Sequence, residues 1–208
     1  MIRRAGDRAL LVCPTGHDGL LEVVTRLRSA HLPGVEDILP AAETVLLTLR
    51  DGSVQTAVET EVRQLLGAPA TARKIAAEDA EEVVIPVRYD GEDLADVAAI
   101  LGLTTEEVIA AHAGRAWRCR FIGFTAGFGY LESDQGGLVV PRRRQSRTAV
   151  PAGAVALADG YSAVYPRRAP GGWQLIGTTE LTMFDIARSR PALLTAGTRV
   201  RFVQEGGV

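Results

Sequence analysis

Asparagine is absent from this 208-residue chain, and lysine occurs once, at Lys74. Cysteine and histidine are nearly as scarce: Cys13 and Cys119, and His17, His31 and His112. Each shortage excludes a chemistry. A P-loop needs a lysine behind a glycine-rich run, and Lys74 follows Thr-Ala-Arg. Schiff-base or pyridoxal chemistry would have to use that same residue. Two distant cysteines and three scattered histidines form no CxxC, HExxH or comparable zinc spacing, so no metal site is expected. Without asparagine there is no N-glycosylation acceptor. No apolar run approaches the roughly 18 residues of a membrane span. The opening MIRRAGDRALLVC lacks the apolar core of a signal peptide. The expectation is a cytoplasmic protein with reduced thiols and no membrane association.

Arginine is what the chain has instead. Of 23 basic residues 22 are arginine, and 13 of those lie in the last 94 positions. The net charge of −2 therefore conceals a gradient: −2 over residues 1–80, −7 over 81–114 and +7 over 115–208. The acidic stretch suits a solvated helical face, or neutralises the basic part internally. Alternatively the basic part meets an anion.

The first 80 residues read as β-α-β-β-α-β. Ala9 to Cys13 is a short apolar strand, and Thr15 starts a helix with Asp18 in a capping arrangement. Leu20, Leu21, Val23, Val24 and Leu27 form its buried stripe. Val35 to Leu39 and Thr44 to Leu49 read as strands, and Val54, Val58, Val62, Leu65 and Leu66 as a second helical stripe. A linker rich in alanine and glutamate follows from Ala68 to Glu82, then a strand over Val83 to Tyr89. Leu94 to Leu101 patterns a helix, and Thr104 with Glu107 makes a capping box for another that ends near His112. From Arg115 onward the helical period disappears. Short β segments separated by glycine or proline turns predict a barrel or sandwich.

Four features in this second half could carry function. GFTAGFGYL (123–131) alternates glycines with Phe124, Phe128 and Tyr130, which suits either a ligand wall or a glycine-kinked barrel corner. PRRRQSR (141–147) places four arginines in six positions, suited to carboxylate or phosphate or to a solvated loop. With no recognisable nucleic-acid-binding fold and a pI near 6.0, a small anionic substrate or acidic partner surface fits better than nucleic acid. Gly171-Gly172 presents Trp173, suited equally to a lid, a subunit contact or the core. His112 is the one histidine after position 31. It suits proton transfer with Glu132, Asp134, Asp159 or Asp185, or a helix C-terminal dipole partner.

Taken in order, these stretches resemble the KipI/PxpB family (allophanate hydrolase subunit 1, the B-type subunit of 5-oxoprolinase). The resemblance runs through GDRALLV (6–12), VRYDGEDLADVA (87–98), GLTTEEVIAAH (102–112), GFTAGFGYL, PRRRQSR, VPAGAVALA (150–158), VYP (164–166), APGGWQLIGTT (169–179), MFD (183–185) and PALLTAGTRVRF (191–202). It implies an α+β fold: a small α/β, ferredoxin-like domain over 1–80, then a cyclophilin-like β-barrel over 81–208. It implies a heteromer with a KipA/PxpC-type subunit (allophanate hydrolase subunit 2) and a LamB/YcsF (PxpA)-type protein. The implied activity is ATP-dependent opening of 5-oxo-L-proline to L-glutamate, with ATP and Mg2+ as cofactors. Other members imply alternatives: an inhibitor of a histidine kinase, or half of a biotin-dependent carboxyltransferase of the urea amidolyase type.

Under this reading His112, Arg142 and Arg147 are the candidate catalytic and anion-binding groups. Gly127, Phe128 and Tyr130 would line the pocket, and Gly171, Gly172 and Trp173 would form a lid or subunit contact. The chain departs from the family pattern at Ala126 and Ser146, where proline is usual. Thr178-Thr179-Glu180 replaces Arg-Thr-Pro, and Thr198 replaces a common aspartate.

Overall fold

The computed structural model describes residues 1–14, 19–68, 82–136 and 138–206. The chain divides into two compact units, Met1–Asp79 and Ala80–Val208.

The first unit holds β1 (Ile2–Arg4), β2 (Ala9–Val12), α1 (Gly19–Ala30), β3 (Val35–Pro40), β4 (Val45–Leu49) and α2 (Gln55–Gly67). Its sheet runs β1-β2-β4-β3, antiparallel throughout. Period-two burial turns Val45, Leu47 and Leu49 of β4 inward, where Leu20, Val24 and Leu27 of α1 and Val58 and Val62 of α2 meet the same core. The expected β-α-β-β-α run is present from β2 to α2, and the last expected strand, after α2, lies outside the described residues. The fourth described strand is Ile2–Arg4, which precedes the others and pairs Ile2 with Val12. The ferredoxin-like arrangement would place a strand following α2 at that edge. Ile-Arg-Arg carries too little hydrophobic pattern to be read as a strand, and its pairing comes from the backbone of β2. The helix start at Thr15 to Asp18 and most of the Ala/Glu linker lie outside the described residues.

The second unit adds β5 (Glu82–Val87), α3 (Leu94–Leu101), α4 (Thr105–Ala113), β6 (Trp117–Ile122), β7 (Gly129–Glu132) and β8 (Arg147–Val150). It continues with β9 (Ala154–Ala158), β10 (Tyr161–Val164), β11 (Ala169–Gly171), β12 (Gln174–Thr178) and β13 (Arg199–Gln204). Seven strands run β12-β9-β10-β7-β6-β13-β5, antiparallel except for the β13–β5 pair. Beyond β5, Arg88 exchanges two 2.8 Å backbone hydrogen bonds with Thr178 of β12. That bridge brings the two sheet edges together into a nearly closed barrel, satisfying backbone groups that an open edge would leave unpaired. β8 and β11 form a separate two-stranded ribbon.

β9 is buried on both faces. Val155 and Leu157 enter one core with Ile85, Trp117, Val200 and Phe202, and Ala154, Ala156 and Ala158 enter another with Phe128, Tyr165 and Trp173. The capping box forms as expected: Glu107 N–H donates to Thr104 Oγ1 (3.2 Å), and Thr104 N–H donates to Glu107 Oε2 (2.8 Å). Among the described residues no helix is long and apolar enough to cross a membrane.

Candidate functional site

The glycine-aromatic stretch divides into a tight turn and strand β7. Gly123 N–H donates to Phe128 O (3.1 Å), and Phe128 N–H donates to Thr125 O (3.0 Å). Gly127 has φ +80°, and a Cβ there would lie 2.7 Å from Phe184 Cβ, so glycine is required on both counts. The segment is thus a barrel corner, and its aromatics pack. Phe128 stands edge-on to Tyr130 (5.1 Å), Tyr165 (5.2 Å) and Trp173 (5.4 Å). Phe124 borders this cluster at 5.3 Å from Phe128.

Two corrections follow. Phe128 and Trp173 are buried, so neither lines an open pocket and Trp173 is not a lid. Just before Trp173 in the chain, the Tyr165 hydroxyl packs so closely on Gly171 that a Cβ there would be 2.1 Å away. The Arg142 guanidinium lies 5.9 Å from the indole centroid. Tyr130 is half-buried, and burial pushes both its phenol and that of Tyr165 up.

The basic loop lies against the Gly-Gly-Trp turn. Arg143 N–H donates to Gly172 O (2.7 Å), and Gln174 Nε2 donates to Pro141 O (3.1 Å). The four arginines are not equivalent. Arg142 is exposed, and its Nε pairs with Asp159 Oδ2 at 3.0 Å. Arg144 is exposed. Arg143 and Arg147 both donate to Asp93, a buried carboxylate at the start of α3 that also accepts Leu175 N–H (2.7 Å). Arg147 reaches Glu92 as well (3.1 Å), and its hydrogen bond to Asp93 holds its guanidinium above the usual arginine range. Arg147 is thus held by Asp93 and Glu92 rather than standing free as expected of an anion clamp, while its buried Nη1 and the buried Nε of Arg143 have no hydrogen-bond partner among the described residues. The acidic segment does neutralise part of the basic one, through Asp93 and Glu92.

His112 lies in the other core of this unit. Nδ1 is 2.7 Å from the Tyr89 hydroxyl and Nε2 is 2.8 Å from Ser162 Oγ. The ring lies 4.3 Å from Phe202, and Trp117 Nε1 donates to the His112 carbonyl (3.0 Å). Burial, with Arg115 adding to it, drives the imidazole pKa down to about 3. The ring is held at both nitrogens, by the half-buried Tyr89 and by Ser162, and does not itself reach solvent. Direct proton transfer from the ring to a substrate is therefore corrected to a structural role.

The structure thus gathers Gly127, Phe128, Tyr130, Arg142, Gly171, Gly172 and Trp173 around one aromatic cluster, sets Arg147 at its edge as the strand partner of Gly171, and leaves His112 out of it. It adds Tyr165 and Asp93, and it gives places at the cluster to Phe124 and Asp159, both already singled out in the sequence. Asp93 left a trace there as part of an acidic segment facing a basic one. Thr178, where the resemblance led us to expect arginine, donates to Asp90 Oδ1 (2.8 Å) at the barrel seam. Among the described residues no three His, Cys, Asp or Glu side chains converge as metal ligands would.

Residues 1–194 match the family model of the carboxyltransferase domain, subdomain C and D. The chain belongs to this family. Two proteins named as the B-type subunit of 5-oxoprolinase are similar to it within the KipI/PxpB branch. That of Escherichia coli O157:H7 is 38% identical over 185 residues, covering 87% of this chain and 84% of its own. That of Haemophilus influenzae is 44% identical over 127 residues, covering 60% of each. Among solved structures, TTHA0988 matches with a TM-score of 0.79 at 34% identity, over 100% of this chain and 41% of its own. The chain thus spans less than two thirds of the Haemophilus protein and of TTHA0988.

Proposed function

We propose that the chain is the B-type subunit of a heteromeric ATP-dependent 5-oxoprolinase. It would act in the cytoplasm with a KipA/PxpC-type subunit and a LamB/YcsF-type protein. The observation that carries this reading is the exposed Arg142 guanidinium held over Trp173 beside Tyr130 and Tyr165, in a chain related to two proteins named for that activity. The ring amide of 5-oxoproline is a poor electrophile. ATP would activate it at the amide oxygen. Overall, 5-oxoproline, ATP and two waters give glutamate, ADP and phosphate.

Such a reaction places a carboxylate and a phosphoryl group where cations and N–H donors must meet them. This chain fits part of that need. Arg142 can exchange its exposed partner Asp159 for a ligand anion at little cost, because a solvated pair contributes little. Arg143 and Arg147 share Asp93, with Glu92 also on Arg147, so in the basic loop the exposed cations for a nucleotide site are Arg142 and Arg144. A partner subunit would complete it, and Mg2+ would arrive on the nucleotide phosphates. The test is co-purification with the KipA/PxpC-type subunit and measurement of ADP release with and without 5-oxoproline. ADP release that ignores 5-oxoproline sinks the reading.

The family model's own description favours a second reading, half of a biotin-dependent carboxyltransferase. Transfer of a carboxyl group from carboxybiotin to urea by the same complex would support that reading and displace the first.

A further inference from the structure

Phe124 is the one exposed aromatic side chain among the described residues, with 57% of its surface open to solvent. Its backbone is left-handed, at φ 62°. That region suits glycine or asparagine, and a bulky side chain there is strained. Burial does not explain a phenylalanine at this position, and backbone preference opposes one. Strain of this kind persists where the surroundings hold it in place, and it concentrates at binding sites.

The surroundings point to what the ring meets. It stands edge-on to Phe128 at 5.3 Å and to Tyr165 at 6.3 Å. Arg142 approaches the same cluster over Trp173, close enough for its charge to act on the Tyr165 and Tyr130 hydroxyls. An exposed aromatic ring, against Phe128 and Tyr165, and an exposed guanidinium, over Trp173, therefore lie on one aromatic cluster. Together they suit a small carboxylate that carries a flat apolar or amide-bearing ring.

We propose that Phe124 is a substrate-contacting residue, a platform for the five-membered amide ring of a substrate whose carboxylate Arg142 takes. This rests on the 5-oxoprolinase reading and names how that site selects its substrate. A ring stack at the edge of a site adds to binding and leaves the chemical step alone. Its loss should appear in KM.

The test uses the intact complex with the KipA/PxpC-type partner, carrying Phe124→Gly, Phe124→Leu or Phe124→Tyr. Phe124→Gly is expected to raise KM for 5-oxoproline about 3- to 10-fold, with kcat within about twofold of wild type. Its Tm should stay within about 3 °C of wild type, since relief of backbone strain offsets the lost contact. Phe124→Leu should behave like Phe124→Gly in KM, and Phe124→Tyr should restore the wild-type value. An unchanged KM in Phe124→Gly overturns the inference. So does a fall in Tm of more than about 6 °C that tracks the loss of activity, which would mean packing alone. Loss of the partner from the purified complex also overturns it, in favour of docking. A wild-type complex in which 5-oxoproline drives no ADP release overturns the functional reading and this inference with it. A responsive wild type whose Phe124→Gly form keeps its KM overturns the inference alone.

Discussion

Asp93 Oδ1 and Arg147 Nη2 lie 2.8 Å apart, with the carboxylate almost wholly removed from water. The same carboxylate takes a bond from Arg143 and one from the Leu175 backbone. The start of α3, the basic loop and strand β12 therefore share one anchor. Removing one member of a buried pair leaves the other uncompensated, at a cost of about 3 kcal/mol or more. Asp93→Ala should lower the urea midpoint accordingly, and Asp93→Asn should lose less because it keeps an acceptor for Leu175. Equilibrium denaturation of the isolated chain measures both, and unchanged midpoints would dissolve the anchor.

The buried His112 makes stability depend on pH in a defined direction. Its pKa falls from 6.5 in the unfolded chain to about 3 in the folded one. Below pH 6.5 the unfolded state takes a proton that the native state refuses. Stability from this group is thus complete above pH 6.5 and declines toward pH 3, at about 1 kcal/mol per pH unit. Denaturation at pH 8 and pH 5 should show the decline in wild type and a shallower one in His112→Gln. Equal slopes in the two proteins would assign the dependence elsewhere.

Arg142 and Arg147 should separate in behaviour although they stand five residues apart in one motif. Arg142→Ala removes an exposed ion pair of small worth, so Tm should shift by no more than about 2 °C. ADP release by the complex should nonetheless fall on the order of tenfold. Arg147→Ala should lower Tm and activity together, since it breaks the Asp93 anchor. Full ADP release by Arg142→Ala would remove it from the site.

The two thiols offer a simpler check on the folds of the two units. Cys119 is buried in the barrel, and burial pushes its thiol up to about 12. Cys13 is partly exposed. One thiol should react with a disulfide reagent in the native protein and two in denaturant. Rapid native reaction of both would contradict the placement of Cys119.

Local signals were read where the local chain decides the outcome. The Thr104–Glu107 capping box and the buried stripes of α1 and α2 are set by neighbours within a turn or two. Beyond Arg115 the loss of helical period and the glycine and proline punctuation also sufficed to predict short strands in a barrel or sandwich. Strand β1 was not legible, because three residues with one apolar side chain acquire their conformation from β2. Nor was β7, since the glycines of GFTAGFGYL admit a loop as readily as a strand. At the site, composition predicted an anion-facing arginine cluster but could not say which arginines were already neutralised.

The sequence by itself determined the three-part division of charge, the helical stripes and caps, and family membership through an ordered set of motifs. Those are properties of residue order and need no partner. Only the tertiary structure decided that His112 is enclosed between Tyr89 and Ser162, that Trp173 is packed under Arg142, and that Asp93 claims Arg147. Each depends on groups some 50 or more residues apart in the chain meeting within hydrogen-bond distance, or on a buried ring losing its access to water. Burial and pairing set whether a histidine titrates or an arginine is free, and neither is written in local order.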